Sequence, residues 1–157
     1  MSAVLESPWA ARAADALTLQ SAVNAAALTA LQEVQDTFED HAVWAWPDGN
    51  GGVHVVIDGL DLGPAFMQAT SWLAFTINYL YPEADTYPHY VRADLAHVDG
   101  APLVVPFHAG QTFLDQPAIM VSRSSPNRTS GLSTATRKAL SVLTYIQSQP
   151  TNRTVTA

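Results

Sequence analysis

Ser71-Trp72-Leu73-Ala74-Phe75-Thr76-Ile77-Asn78-Tyr79-Leu80-Tyr81-Pro82 is the most strongly patterned run in the chain. Leu73, Phe75, Ile77 and Tyr79 fall on one face and Ala74, Thr76 and Asn78 on the other, the period-two signature of a half-buried strand. Two Tyr-Pro steps, Tyr81-Pro82 and Tyr87-Pro88, hold the residues before each proline in extended geometry. A further strand is expected over Tyr90 to Leu95. Upstream, Ala42 to Trp46 alternates, breaks at Pro47-Asp48-Gly49-Asn50-Gly51-Gly52 and resumes as Val53 to Ile57. That is a hairpin whose turn is rich in residues tolerant of left-handed backbone. With breaks at Asp58-Gly59 and Gly63-Pro64, these runs predict a four-stranded antiparallel meander.

Helices are expected on either side of it. Ser7 before Pro8 is a helix start, and Ala10 to Leu17 is rich in the best helix former. Val23, Ala27, Ala30 or Leu31, Val34 and Phe38 recur at steps of three and four, a single apolar stripe. Asp36, Glu39 and Asp40 crowd the end of that helix, where the macrodipole disfavours anions. They read as solvated surface, with an acidic partner-binding patch as the alternative. From Ala96 to Ser130 the pattern fades into long irregular loop, broken only by a short strand over Ala118 to Ser122. Loops of that length in a compact domain are usually functional or mobile. A last helix from about Ser133 carries Ala135, Ala139, Val142, Leu143 and Ile146 on one side and stops before Pro150. The expected class is α+β, with helices packed on one sheet. Residues 1–18 form a helical extension, 19–150 the domain and 151–157 a frayed tail.

Composition narrows the function. The chain has 157 residues, 48% hydrophobic and 13% charged, with a formal charge of -7 and no cysteine. That length can build its own core. The seven cations are Arg12, Arg92, Arg123, Arg128, Arg137, Arg153 and Lys138, too few to neutralise a run of phosphates, so nucleic acid is excluded as a partner. No apolar run is long enough to span a bilayer. Residues 1–6 lack the basic and apolar regions of a signal peptide, so a cytoplasmic location is expected. Two Asn-Arg-Thr tripeptides, at 127–129 and 152–154, fit the glycosylation acceptor pattern but carry no meaning without export. Absence of cysteine removes disulfides, thiolate metal sites and thiol nucleophiles.

The order helix, meander, Tyr-Pro run, strand, loop, helix resembles the ubiquitin-conjugating-enzyme (UBC-like) family in its divergent prokaryotic branches. The resemblance rests on Phe75 to Pro82, on Tyr87-Pro88-His89-Tyr90-Val91, and on Val121-Ser122-Arg123-Ser124 before an Ala- and Leu-rich helix, and it covers about residues 20 to 147. His97 stands where the family places the histidine of its His-Pro-Asn motif, and Asp99-Gly100 where its glycine-containing turn would fall. The resemblance implies a UBC-like fold: N-terminal helix, four-stranded meander, long active-site-type loop and C-terminal helix. It also implies a place in ubiquitin-like protein conjugation, with a ubiquitin-like protein and its activating enzyme as partners. Two departures follow. His97 is followed by Val98 and Asp99, leaving the motif asparagine without a counterpart. Where the thioester-forming cysteine should lie, just after Gly100, stand Ala101, Pro102 and Leu103. The family's thioester chemistry needs a thiolate.

Four readings of the site remain open. An oxygen nucleophile is the first: Ser122, Ser124, Ser125 or Thr112, with His97 or His108 as base, provided one imidazole lies within hydrogen-bond reach of the hydroxyl. A metal site built from His89, His97 and His108, with Asp94, Asp99 or Asp115, is the second, although gaps of eight and eleven residues match no compact ligand motif. A binding module without chemistry is the third, with Trp44 and Trp46 on one strand face as either a docking patch or sheet–helix core. The fourth concerns Arg92 and Arg123, which are placed either to hold the carboxylate of a ubiquitin-like C terminus or to pair with Asp94 or Asp115. Gly49, Gly51 and Gly52 precede neither a lysine nor a Ser/Thr-led helix, so they form no phosphate loop. No cofactor is expected, and ATP would be consumed by a separate activating enzyme.

Overall fold

A computed structural model describes residues 7–123 and 134–151. Three helices, α1 (Ala16–Ala22), α2 (Ala25–Thr37) and α3 (Ala135–Gln147), accompany six strands: β1 (Val43–Pro47), β2 (Val53–Asp61), β3 (Thr70–Ile77), β4 (His89–Arg92), β5 (Phe107–Phe113) and β6 (Gln116–Val121). The strands form one antiparallel sheet in the order β1-β2-β3-β4-β6-β5. The described residues are therefore α+β, but with six strands where sequence periodicity predicts a four-stranded meander.

The difference lies in the segment read as loop. The expected strand at Ala118 to Ser122 is real and lies beside β4 as β6, and it brings β5 with it as a hairpin partner. Between Phe107 and Phe113, β5 is polar and largely exposed. It lies at the sheet edge, and its register breaks between His108 and Gln111. An edge strand with a bulge has no alternation to detect.

The helix stripe is as expected. Ala27, Ala30, Leu31 and Val34 of α2, with Phe38 just beyond it, are buried, and so are Ala135, Ala139, Val142 and Ile146 of α3. Both helices cover one sheet face, packing on Val53, Val55, Ile57, Leu73, Phe75, Ile77, Ile119 and Val121. Asp36, Glu39 and Asp40 are exposed at the end of α2. The glycine-rich turn after β1 is held by Asp48 Oδ1, which accepts from the amides of Asn50 (2.7 Å) and Gly52 (2.9 Å). A Cβ on Gly52 would lie 2.5 Å from the Ile77 carbonyl oxygen, so that approach requires glycine.

Upstream, the expected helical extension is shorter and more broken than its alanine content suggests. Ala10–Arg12 make one turn of 3-10 helix, α1 starts only at Ala16 with Asp15 as its cap, and the chain breaks again at Val23 and Asn24. Asn24 does three things at that break. Its Oδ1 accepts from Ala27 N (2.9 Å), its Nδ2 donates to the Tyr79 carbonyl (3.1 Å), and its own N–H donates to the Gly51 carbonyl (2.8 Å). Asn24→Ala is expected to lower stability by about 1–2 kcal/mol through loss of the cap. Asn24→Asp keeps the cap acceptor and should fall between alanine and wild type in urea unfolding midpoints. Equal midpoints for all three proteins would remove the capping role.

The sheet has a second core on the face away from the helices. Trp9 is fully buried there with Val56, Ala74, Phe113 and Ala118, flanked by Trp44, Trp46, Trp72 and Tyr90. Trp9 stacks on Trp46 (centroids 6.0 Å apart) and meets Trp72 (5.1 Å) and Phe113 (5.6 Å) edge-on, the offset and T-shaped geometries aromatic rings prefer. The segment carrying Trp9 is tied down just after it. Ala14 N–H donates to the Ala45 carbonyl of β1 at 2.8 Å, and Arg12 pairs with Asp115 in the β5–β6 turn.

Candidate functional site

The β5–β6 hairpin determines where the candidate catalytic groups meet. Phe107 pairs with Val121 and His108 with Met120, so the next residue of the returning chain, Ser122, reaches back to Pro106 (N–H to carbonyl, 2.9 Å). This brings His108 Nε2 and Ser122 Oγ within hydrogen-bond distance, 2.7 Å. Both residues are half-buried. With its proton on Nδ1, the imidazole accepts the serine O–H, which is the arrangement of a general base. With the proton on Nε2 it donates to Oγ instead, and the hydroxyl turns to the Pro106 carbonyl 3.4 Å away.

His97 does not join this pair. It is 2% exposed and stacks on Phe66 (centroids 4.9 Å, 20°) in the core beneath the helices. His108 follows Phe107 of that core in β5, so alternation turns its ring to the other face of the sheet. Thr112 is exposed, four residues along β5 from His108. Ser124 and Ser125 lie outside the described residues.

The metal reading is corrected. His89 is fully buried against Phe75 (5.0 Å), His97 stacks on Phe66 and His108 bonds Ser122. Among the described residues, no group of three His, Asp or Glu side chains is arranged to hold a metal. The His89 pKa is pushed down to about 3, chiefly by burial and further by the charge of Lys138, with Asp85 opposing.

The two arginines take different roles. Arg92 forks onto Asp94 through Nε (2.5 Å) and Nη2 (2.8 Å) and donates from Nη1 to the Thr70 carbonyl (3.0 Å). Those hydrogen bonds raise the Arg92 pKa and lower that of Asp94. This is the structural pair with Asp94 anticipated above. Asp115 pairs with Arg12, not with Arg123, whose guanidinium lies 4.2 Å over the Tyr145 ring of α3. Trp44 and Trp46 belong to neither an open patch nor the sheet–helix core. They are half-buried in the second core under Trp9, and Trp44 Nε1 donates to Asp58 Oδ2 (3.1 Å).

Sequence reasoning missed the buried pair of Lys138 Nζ and Asp85 Oδ2 (2.8 Å), in which Lys138 is only 6% exposed. A signal was available: Lys138 falls at helical spacing between Ala135 and Val142, on the buried stripe of α3.

No family model matches this chain, and no curated protein or solved structure matches it. Among the described residues, no helix is long and apolar enough to cross a membrane.

Proposed function

We propose that this chain is a UBC-like component of a ubiquitin-like protein conjugation pathway that receives its ubiquitin-like protein on oxygen. Ser122 is the acceptor and His108 its base. The observation that carries the reading is the 2.7 Å contact between His108 Nε2 and Ser122 Oγ, because a hydroxyl is a poor nucleophile until a base lies within reach. The α+β order and the Tyr-Pro run between β3 and β4 support the family resemblance, and the absence of cysteine removes its thioester route.

The step balances without a cofactor. Ser122 Oγ attacks the carbonyl carbon of a C-terminal thioester held by the activating enzyme, and the serine proton passes to His108 Nε2. The C–S bond breaks as the C–O bond is completed, and the departing thiolate takes up the proton. The ATP is spent by the activating enzyme beforehand.

Incubation with a ubiquitin-like protein, its activating enzyme and ATP should give an adduct that survives thiol and is cleaved by hydroxide. Ser122→Ala should abolish it, Ser122→Cys should replace it with a thiol-labile adduct, and His108→Gln should slow its formation about 100-fold, the lower end of general-base contributions. Wild-type protein that forms no adduct would sink the oxyester reading.

A second reading is a non-catalytic adaptor of the same fold, binding a ubiquitin-like protein or its activating enzyme. It is favoured by the loop between β4 and β5, which exposes three apolar side chains, Val98, Val104 and Val105 (48%, 50% and 76%), since exposed apolar surface is what a partner would cover. An adaptor would capture its partner equally well with Ser122→Ala and form no ester.

A further inference from the structure

A cleft of about 390 Å³ opens at the β2–β3 end of the sheet, lined by Asp58, Gly59, Trp72, Arg92 and Asp94 together with Thr70 and Ser71. It is a product of the β2 bulge. The β2–β3 register slips between Ile57 and Leu60, and Gly59 takes φ +70°, so Asp58 leaves the ladder. Bulges re-aim side chains in this way, often beside functional sites. Alternation in β3 and β4 puts Trp72 and Arg92 on the face away from the helices, level with the aromatic layer.

We propose that this cleft binds a neutral saccharide. The polar groups are held in place before any ligand arrives. Trp44 Nε1 fixes Asp58 Oδ2, while Asp94 and the Thr70 carbonyl fix three donor positions of Arg92. The Arg92 amide in turn donates to Ser71 Oγ (3.1 Å). Asp58 retains its second oxygen, and the Arg92 guanidinium retains N–H groups beyond the three already engaged. A planar carboxylate and a planar guanidinium beside an indole suit a sugar ring. Its C–H face lies on the aromatic surface, and its adjacent hydroxyls bond the two forks.

The charge balance selects among ligands. Arg92 and Asp94 cancel, leaving Asp58 as the uncompensated charge. A phosphate or carboxylate ligand would be repelled, whereas a hydroxyl is accepted without desolvating a second ion. The cleft volume lies within the range of small-molecule sites. This inference concerns a different end of the sheet from the His108–Ser122 pair and does not depend on the conjugation reading.

The test uses the full chain, labelled with 15N, titrated separately with cellobiose, maltose and N,N′-diacetylchitobiose, and with methylammonium chloride as the cationic probe. The four indole N–H signals report position. At least one disaccharide should move the Trp44 and Trp72 signals saturably while Trp9 responds least. Asp58→Asn and Arg92→Lys should each weaken that binding about tenfold, with the dispersion of the backbone spectrum unchanged. Shifts that are absent with all three sugars, that are unaltered in Asp58→Asn, or that occur with methylammonium alone would each overturn the proposal.

Discussion

Trp9→Ala is expected to destabilise the protein by about 3–5 kcal/mol, the range for removing a large buried aromatic from a core that cannot collapse around the space. Trp9 has no exposed surface and three ring neighbours, so its loss opens the second core to water along Trp46, Trp72 and Phe113. Trp9→Phe should be much milder for two reasons. It keeps a ring against Trp46, and it removes a buried indole N–H that has no hydrogen-bond partner among the described residues, a group whose desolvation costs about 1–3 kcal/mol. Urea unfolding followed by circular dichroism measures both variants. Losses below about 1 kcal/mol for Trp9→Ala would mean that the N-terminal segment is not part of the folded core.

The second large effect is a loss of stability in acid centred on His89. Its folded pKa of about 3 lies below the ordinary histidine value of 6.5. The unfolded chain therefore takes up the proton first. Stability from this group is complete above about pH 6.5 and is lost as pH falls toward 3, by about 1.4 kcal/mol per pH unit within that window. Protonation inside the fold would put a second positive charge near Lys138, opposed by the carboxylate of Asp85. His54 is also lowered by burial and adds in the same sense, whereas Asp94 and Asp15, both lowered, act chiefly below pH 4. Urea midpoints between pH 4.5 and 6.5 isolate the histidines. His89→Leu, which has no proton to gain, should flatten the slope there. The same slope in both proteins would refute a neutral, buried His89.

These two residues mark the limits of sequence reading. The pattern of β3, the stripe on α2 and the apolar side of α3 were legible because burial on one face imposes a period, and period is what a single sequence displays. Trp9 was not legible. It sits in an alanine-rich run that suggests helix, and only the arrival of the segment over the far side of the sheet gives it neighbours, including Phe113 about a hundred residues later in the chain. His108 and Ser122 were named as candidates, but their meeting depends on a hairpin register interrupted at Ala109 and Gly110, which no spacing rule anticipates. Trp44 and Trp46 were rightly assigned a common face. Which face was buried under what could not be read, because both sides of this sheet are covered. Arg92 shows the opposite case: Asp94, two residues on, was a near enough partner to be named from the sequence.

The polar character that hides β5 from periodicity has a consequence of its own. A sheet edge offers unpaired backbone groups to any passing strand, and flat apolar edges are where proteins aggregate. At the β1 edge, Ala14 already bonds Ala45. At β5, the half-buried His108 is followed by the exposed Ala109, Gly110, Gln111 and Thr112, with the glycine at φ +76° inside a register break. A bent, hydrophilic ribbon of that kind pairs poorly with a second sheet, so the strand that completes the fold also keeps one molecule from extending into the next.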